Sequence, residues 1–209
     1  MTLMNGLMYQ GKAYLWVDTA IWDTATGERI GHTEKAFMGN LWPWAAIHSG
    51  HSDPQDLHRL ARRMAERPNL TAAGLIRDAA EVLQMEADEG RLGRLLLAYP
   101  CPEYGARLTF ISNRDFGPWA KAFEPWDTGS FICSGNNEDW AKDWVPILVE
   151  GDPTPDDVRR YIREQAKHPV DTEDGWNLMN IGGNIIEIEV SPHGVQSRIL
   201  YSVDEAEAA

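Results

Sequence analysis

Thr2 is the residue of this sequence whose position could make it reactive. A threonine hydroxyl is a weak nucleophile until a base removes its proton. In an N-terminal threonine the free α-amine lies within reach of the hydroxyl and can act as that base, because it titrates near about 7.7–8.0. Thr2 follows Met1 directly, and a small second residue normally permits removal of the initiator methionine. We therefore expect acyl transfer, in which Thr2 attacks an amide and water hydrolyses the resulting ester.

The histidines suggest a metal site at first inspection. His48 and His51 lie three residues apart and are followed by Asp53 and His58. Zinc sites need further ligands at a recognised spacing, and no second cluster of ligands supplies them. The sequence therefore predicts no bound metal.

Other catalytic and cofactor patterns are also missing from the sequence. It has no Gly-x-Ser-x-Gly motif of the kind that carries a serine nucleophile. The segment Gly182-Gly183-Asn184 leads into a predicted strand, whereas a phosphate-binding loop leads into a helix. Cys101 and Cys133 are too few for a disulfide framework. We predict no cofactor and no serine hydrolase.

The composition is that of an acidic globular protein. Among 209 residues, 32 are acidic and 19 are basic, which gives a net charge of −13. This charge opposes binding to nucleic acid or to anionic membranes. No apolar run approaches the roughly 20 residues needed to cross a bilayer, and the first residues do not resemble a secretory signal. The sequence therefore predicts a cytoplasmic protein with no nucleic-acid or membrane partner.

Strands and helices follow one another in blocks. Two helices have clear start signals, Thr71 before one and Thr154-Pro155 before another, and Asp53-Pro54 opens a third. Predicted strands cover residues 2–9, 12–18, 29–38, 43–49, 94–99, 107–112, 119–123, 130–133, 184–190 and 195–203. Predicted helices cover residues 53–64, 71–90, 137–144 and 154–166. This order predicts an α+β fold, a four-layer α/β/β/α sandwich, in a single domain over 1–209 with a short acidic tail at 204–209.

Several short segments resemble the motifs of one enzyme family, and the distances between them along the chain are also similar. In chain order they are Thr2, Gly6, Val17-Asp18-Thr19, Lys35-Ala36-Phe37, Ser49-Gly50, Ser134-Gly135 and Gly182-Gly183. With the order of elements, they resemble the proteasome β-type subunits and their bacterial relatives, which are N-terminal-nucleophile (Ntn) hydrolases. The chain looks like a divergent bacterial or phage-type member of that family.

The resemblance implies a set of site residues. Thr2 would be the nucleophile, Lys35 would hold its amine neutral, and Asp18 would pair with Lys35. Ser134 would assist, and the backbone N–H groups at Ser49 and Gly50 would stabilise the oxyanion. The family also implies a peptide or protein substrate and a homo-oligomeric ring, with an unfoldase partner left unknown.

One departure from the family favours a different function. Counting back from Gly182, the places of the family's supporting aspartate and serine hold Leu178 and Ile181. Asn180 or Asp174 could compensate, and spacing does not choose between them. The alternative is therefore a catalytically inactive protein of the same kind that serves as a structural or assembly subunit.

Overall fold

A computed structural model describes residues 3–23, 28–39, 42–50, 71–116, 118, 120–132, 142–167 and 181–203. The strands before the first helix are β1 (Asn5–Tyr9), β2 (Lys12–Asp18), β3 (Ala20–Trp22), β4 (Arg29–His32), β5 (Ala36–Gly39) and β6 (Trp44–Gly50). Helix α1 (Ala72–Asp88) is followed by β7 (Gly93–Cys101), β8 (Gly105–Ser112), β9 (Trp126–Asp127) and β10 (Phe131–Ile132). The chain continues with α2 (Val145–Leu148), α3 (Pro155–Gln165), β11 (Asn184–Ser191) and β12 (Gly194–Ser202).

The strands form two five-stranded antiparallel sheets and one small ribbon. The first sheet has the order β10-β1-β2-β11-β12, and the second sheet has the order β5-β6-β7-β8-β9. Strands β3 and β4 pair with each other as a two-stranded ribbon. Three of the neighbouring pairs, β1–β2, β7–β8 and β11–β12, are joined by turns of two or three residues, which is a connection that antiparallel pairing allows.

Strand β2 shows how the two sheets pack. Its segment from Ala13 to Val17 is almost entirely apolar, which predicted burial on both faces, and the structure confirms this. Ala13, Leu15 and Val17 face a core that also contains side chains of the second sheet, such as Leu96. Tyr14 and Trp16 alternate with them and face the other way.

Two helices with capped starts pack against the sheets, one against each. Thr71 accepts a hydrogen bond from the Gly74 N–H and starts α1, as the sequence predicted. Thr154 and Asp157 form a capping box at the start of α3. Helix α1 packs on the second sheet, and α3 packs on the first. Within the described residues, no helix is both long enough and apolar enough to cross a membrane.

The predicted fold class is wrong. Antiparallel β-sheet makes up 46% of the described residues and helix only 22%, in three helices, so the protein is a β-rich fold and not a four-layer α/β/β/α sandwich of the Ntn type. Each sheet carries one long described helix and not a helical layer. The helix predicted at 53–64 lies outside the described residues. Start signals identify single helices, but they do not show how many helices will pack side by side.

Two strand predictions are also corrected. The strand predicted over 29–38 is two strands, β4 and β5, which belong to different sheets because Thr33, Glu34 and Lys35 cross between them. The strand predicted over 119–123 is not a strand in its described part, where Ala120 forms one isolated bridge with Phe116. The helix predicted over 137–144 falls mostly outside the described residues, and the described helix α2 starts at Val145.

A buried carboxylate cross-links α3 to the first sheet. Glu187 on β11 is only 4% exposed and accepts hydrogen bonds from the Trp16 indole (2.8 Å), the Arg159 Nε (2.7 Å) and the Arg198 Nε (2.9 Å). Burial opposes ionisation of this carboxyl, but the hydrogen bonds from Arg159, Trp16 and Arg198 outweigh it and hold the pKa of Glu187 below its usual value. Glu187 is therefore ionised in the folded protein at neutral pH.

Replacing Glu187 with Gln is expected to lower the free energy of unfolding by about 2–3 kcal/mol at pH 7, because the Arg159 and Arg198 guanidinium groups lose their buried carboxylate partner. A carboxyl whose pKa is lower in the folded state stabilises the folded protein at pH values above its unfolded-state pKa of about 4.3. This stabilisation is lost as the pH falls through the pKa of the folded state. Urea unfolding from pH 7 to pH 3 should therefore show the variant and wild type converging in acid.

Glu189→Gln is the matched control for this prediction. Glu189 lies two residues along the same strand and pairs with Lys12 at 2.7 Å, but both side chains are partly exposed. Such surface pairs contribute about 0–1 kcal/mol. If the loss of unfolding free energy in Glu187→Gln stayed constant with pH, or if Glu189→Gln showed the same loss, the assignment of Glu187 as an ionised cross-link would be contradicted.

Candidate functional site

Asp18 and Lys35 form a buried ion pair. Asp18 is the last residue of β2 and is 1% exposed, while Lys35 precedes β5 and is 6% exposed. The Lys35 Nζ donates to the Asp18 Oδ1 at 2.9 Å. Buried charges of this kind are uncommon because desolvation offsets much of their attraction. Their presence where two sheets meet makes them the first candidates for a functional role.

Asp18 also contacts the backbone of Leu3. Its Oδ1 accepts a second hydrogen bond from the backbone N–H of Leu3, at 2.9 Å. Leu3 directly follows Thr2 in the chain, so Asp18 contacts the neighbour in sequence of the residue predicted as nucleophile. The second carboxylate oxygen, Oδ2, is buried and accepts no hydrogen bond within the described part of the chain. Five other buried polar atoms among the described residues share this property, so it does not by itself mark Asp18 as functional.

The backbone next to Lys35 connects this pair to the predicted oxyanion segment. The carbonyl of Lys35 accepts a hydrogen bond from the His48 N–H at 2.9 Å. Ser49 and Gly50 follow immediately at the end of β6, where they pair with Arg94 and Gly93 of β7. One backbone hydrogen bond therefore links Lys35 to His48, which directly precedes Ser49 and Gly50.

A hydroxyl–imidazole contact borders the pair and was not identified from the sequence. The Thr19 hydroxyl lies 3.2 Å from the His32 Nδ1 and accepts a hydrogen bond from the Asn184 N–H at 2.9 Å. Gly183 adopts a positive φ of 70° beside them. Two motifs that are far apart in the sequence are therefore in contact, namely Val17-Asp18-Thr19 and Gly182-Gly183. A contact between residues this far apart leaves no local signal in one sequence.

Gly183→Ala is expected to lower the free energy of unfolding by about 2 kcal/mol or more, because alanine tolerates a positive φ poorly. A Cβ at this position would also lie 2.5 Å from both the Thr19 Oγ1 and the His32 Nδ1. Thermal or urea unfolding measures the effect. Gly31→Ala is the control, since no atom lies within 4 Å of its added Cβ. Equal stabilities for the two variants would contradict the tight approach at Gly183.

The remaining predicted site residues fall into two groups. Thr2 and Ser134 lie outside the described residues, as do Leu178, Asn180 and Asp174. Ile181 is described and is 8% exposed, and it lies in the apolar cluster that contains Leu3. The place where the resemblance would put a serine is therefore apolar in this protein.

Comparisons with known proteins leave the family open. No protein-family model matches the chain, and no curated protein matches it at a significant level. The resemblance to proteasome β-type subunits therefore stays a prediction from residue types and spacing.

Proposed function

We propose that this protein is an N-terminal threonine hydrolase that cleaves peptides or other amides with Thr2 as the nucleophile once Met1 is removed. One observation carries the proposal. The buried Asp18–Lys35 pair holds the N–H of Leu3, so both charges lie beside the residue that follows the nucleophile in the chain. An ammonium and a carboxylate are rarely buried in an apolar core, because each loses its hydration there.

Each member of the pair has a distinct role in the proposed reaction. The free α-amine of Thr2 takes the proton from its own hydroxyl, and the hydroxyl oxygen attacks the amide carbonyl. The Lys35 ammonium favours the neutral, basic form of that amine, because two close cations disfavour each other. Asp18 holds Lys35 in place through their buried contact at 2.9 Å. The amine then returns the proton to the leaving group before water hydrolyses the ester.

The strand end at Ser49 and Gly50 completes the proposed site. Because successive N–H groups of a strand point to opposite edges, the one of the two that points away from β7 would be the oxyanion donor. An oxyanion needs donors that are fixed before the reaction begins. These two residues end β6, and the hydrogen bond from the His48 N–H to the Lys35 carbonyl ties that end to the ammonium. A rigid strand end is a suitable source of such donors because little reorganisation accompanies charge development.

A second function has its own supporting observation. Ile181 occupies the family's serine position and packs in an apolar cluster. A site without that hydroxyl could have lost hydrolysis and kept the ion pair as a structural element. The second candidate is therefore a non-hydrolytic structural or assembly subunit.

A chain with a removable N-terminal extension separates the two functions. The extension is designed so that a specific protease leaves Thr2 as the first residue. Hydrolysis of a panel of fluorogenic peptides should be undetectable before cleavage and should appear after it, because only then is the α-amine free. Equal lack of turnover before and after cleavage, with folding retained, would favour the structural subunit.

Assembly and location belong to the same proposal. The resemblance implies a homo-oligomeric ring that encloses its sites, with a peptide or protein as substrate, and we place this ring in the cytoplasm. Light scattering after size-exclusion chromatography measures the mass of the assembly. A monomer at micromolar concentration would count against the ring.

A further inference from the structure

A second buried ionisable pair lies behind the proposed site. His48 on β6 and Glu86 on α1 are 2% and 3% exposed. The His48 Nε2 lies 2.9 Å from the Glu86 Oε1 and 3.2 Å from its Oε2. Helix α1 presents apolar side chains such as Leu75, Ala79 and Leu83 to the second sheet, and its other buried charged residue is Asp78. A carboxylate on that face is costly to bury unless it is paired, so the contact with His48 must offset its desolvation.

Two glycines make room for this pair. A Cβ at Gly93 would lie 1.7 Å from the Glu86 Oε2, so the Glu86 carboxylate would have to move to accept a side chain there. A Cβ at Gly50 would lie 3.1 Å from the His48 Cε1 and 2.3 Å from the Leu92 carbonyl oxygen. Gly50 and Gly93 are also register partners in the β6–β7 pairing. The strand ends are therefore shaped around the His48–Glu86 contact.

Asn113 also forms hydrogen bonds near this pair, at the start of β7. Its Oδ1 accepts from the Gly93 N–H at 3.0 Å, and its Nδ2 donates to the carbonyl of Arg91 at 2.8 Å. Helix α1, the turn after it and the start of β7 are thus joined by polar contacts in an otherwise apolar region. Such a network specifies one arrangement, because slipping any element would leave buried polar groups without partners.

The backbone of His48 leads directly to the proposed site. Its N–H donates to the Lys35 carbonyl, and Ser49 and Gly50 are the next residues along the strand. The side chain of His48 is held by Glu86 while its main chain holds Lys35. A movement of the His48 backbone would therefore shift both the ammonium and the oxyanion donor.

We propose that His48 and Glu86 are positioning residues, which anchor the end of β6 to α1 and so set the places of Lys35 and the Ser49–Gly50 backbone. This inference rests on the proposed hydrolase function. It assigns no contact between the pair and the substrate. Small displacements of reacting groups can cost about a hundredfold in rate, so a loss of anchoring should lower kcat and leave KM nearly unchanged.

The test compares four proteins on one fluorogenic peptide, after exposure of the Thr2 amine. In His48→Leu/Glu86→Leu both partners become apolar, a change that buried pairs often tolerate in stability. Glu86→Gln keeps an acceptor for the imidazole. Leu75→Ala loosens the same helix away from the pair, where Leu75 is fully buried, and controls for general destabilisation. The wild type is the reference.

Activity gives the first readout. The double leucine variant should lose about tenfold or more in kcat with KM within about twofold, Glu86→Gln should stay within about threefold of wild type, and Leu75→Ala should keep its kcat. An unchanged kcat in the double variant, or an equal loss in Leu75→Ala, overturns the positioning role. If the double variant fails to fold, Glu86→Leu replaces it with the same expected loss, and a normal kcat in that variant overturns the role.

Hydrogen exchange gives a readout that does not depend on turnover. The His48 amide should exchange at least about tenfold faster in the double variant than in Leu75→Ala, because its hydrogen bond to Lys35 is no longer anchored. Unchanged protection there overturns the anchoring itself. A wild-type protein with neither turnover nor labelling of Thr2 overturns the proposed function, and the positioning role fails with it even if the exchange data show an anchored strand. The two failures are thus distinguishable.

Discussion

Thr2→Ala is expected to reduce amide hydrolysis by at least about a thousandfold while the protein keeps its fold, because the substitution removes the nucleophilic oxygen. Alanine is also small, so removal of Met1 should proceed as in the wild type. The measurement is kcat/KM on a fluorogenic peptide, together with the thermal unfolding midpoint. Activity should fall to the level of the protein whose N-terminal extension has not been removed. The thermal unfolding midpoint should stay within about 2 °C of the wild-type value.

Thr2→Ser is the matched control for this variant. It keeps a hydroxyl and a free α-amine, so it should retain activity within about tenfold of wild type. A Thr2→Ala protein that still cleaves peptides would contradict the nucleophile assignment. A Thr2→Ser protein as inactive as Thr2→Ala would show that the hydroxyl is not the group that matters.

Lys35→Met is expected to have the largest combined effect on stability and activity. It leaves Asp18 as a carboxylate that is 1% exposed and without its ammonium partner, which typically costs about 3–5 kcal/mol of unfolding free energy. It also removes the charge that would hold the Thr2 amine neutral, so kcat/KM should fall by about a hundredfold or more. Urea unfolding and peptide hydrolysis measure the two effects. Lys12→Met, which breaks an exposed pair with Glu189, should change stability by less than about 1 kcal/mol.

A double variant separates the structural role of this pair from its catalytic role. Asp18→Asn/Lys35→Met has no uncompensated buried charge, and the asparagine oxygen can still accept from the Leu3 N–H. It should be more stable than Lys35→Met by about 1–3 kcal/mol and remain equally inactive. Recovery of activity together with stability would mean that Lys35 acts only by holding the fold.

Local signals in the sequence predicted single elements well. The apolar run in β2 predicted a strand buried on both faces, and Thr71 and Thr154 predicted the starts of α1 and α3. Each depends on residues adjacent in the chain, whose preferences act locally. The division of residues 29–38 between two sheets was not predicted, because the alternation continues across the point where Thr33–Lys35 changes sheets.

The fold class required information that one sequence does not hold. Antiparallel strands dominate the structure, and their pairing is set by contacts between distant residues such as Asp18 and Ile185. Helix start signals carry no count of the helices that pack on one sheet. The prediction of helical layers therefore relied on the order of elements and was wrong.

Part of the candidate site could be predicted and part could not. Asp18 and Lys35 were selected together through spacing that resembles one family, and the structure brings them to 2.9 Å. The contact of Asp18 with Leu3 and the pairing of His48 with Glu86 were not predicted. Glu86 did leave a trace, since an acid three residues after Leu83 interrupts the apolar face of α1, but the sequence does not say which residue pairs with it.

The most direct test of Thr2 as the nucleophile is covalent labelling of the protein by a β-lactone or an epoxyketone directed at N-terminal threonine. Intact mass and N-terminal sequencing should first show a chain that begins at Thr2. Mass spectrometry should then find one adduct per chain, mapped to Thr2, missing in Thr2→Ala and strongly slowed in Lys35→Met. A chain that retains Met1, an unlabelled Thr2 or an adduct at another residue would contradict the proposed function.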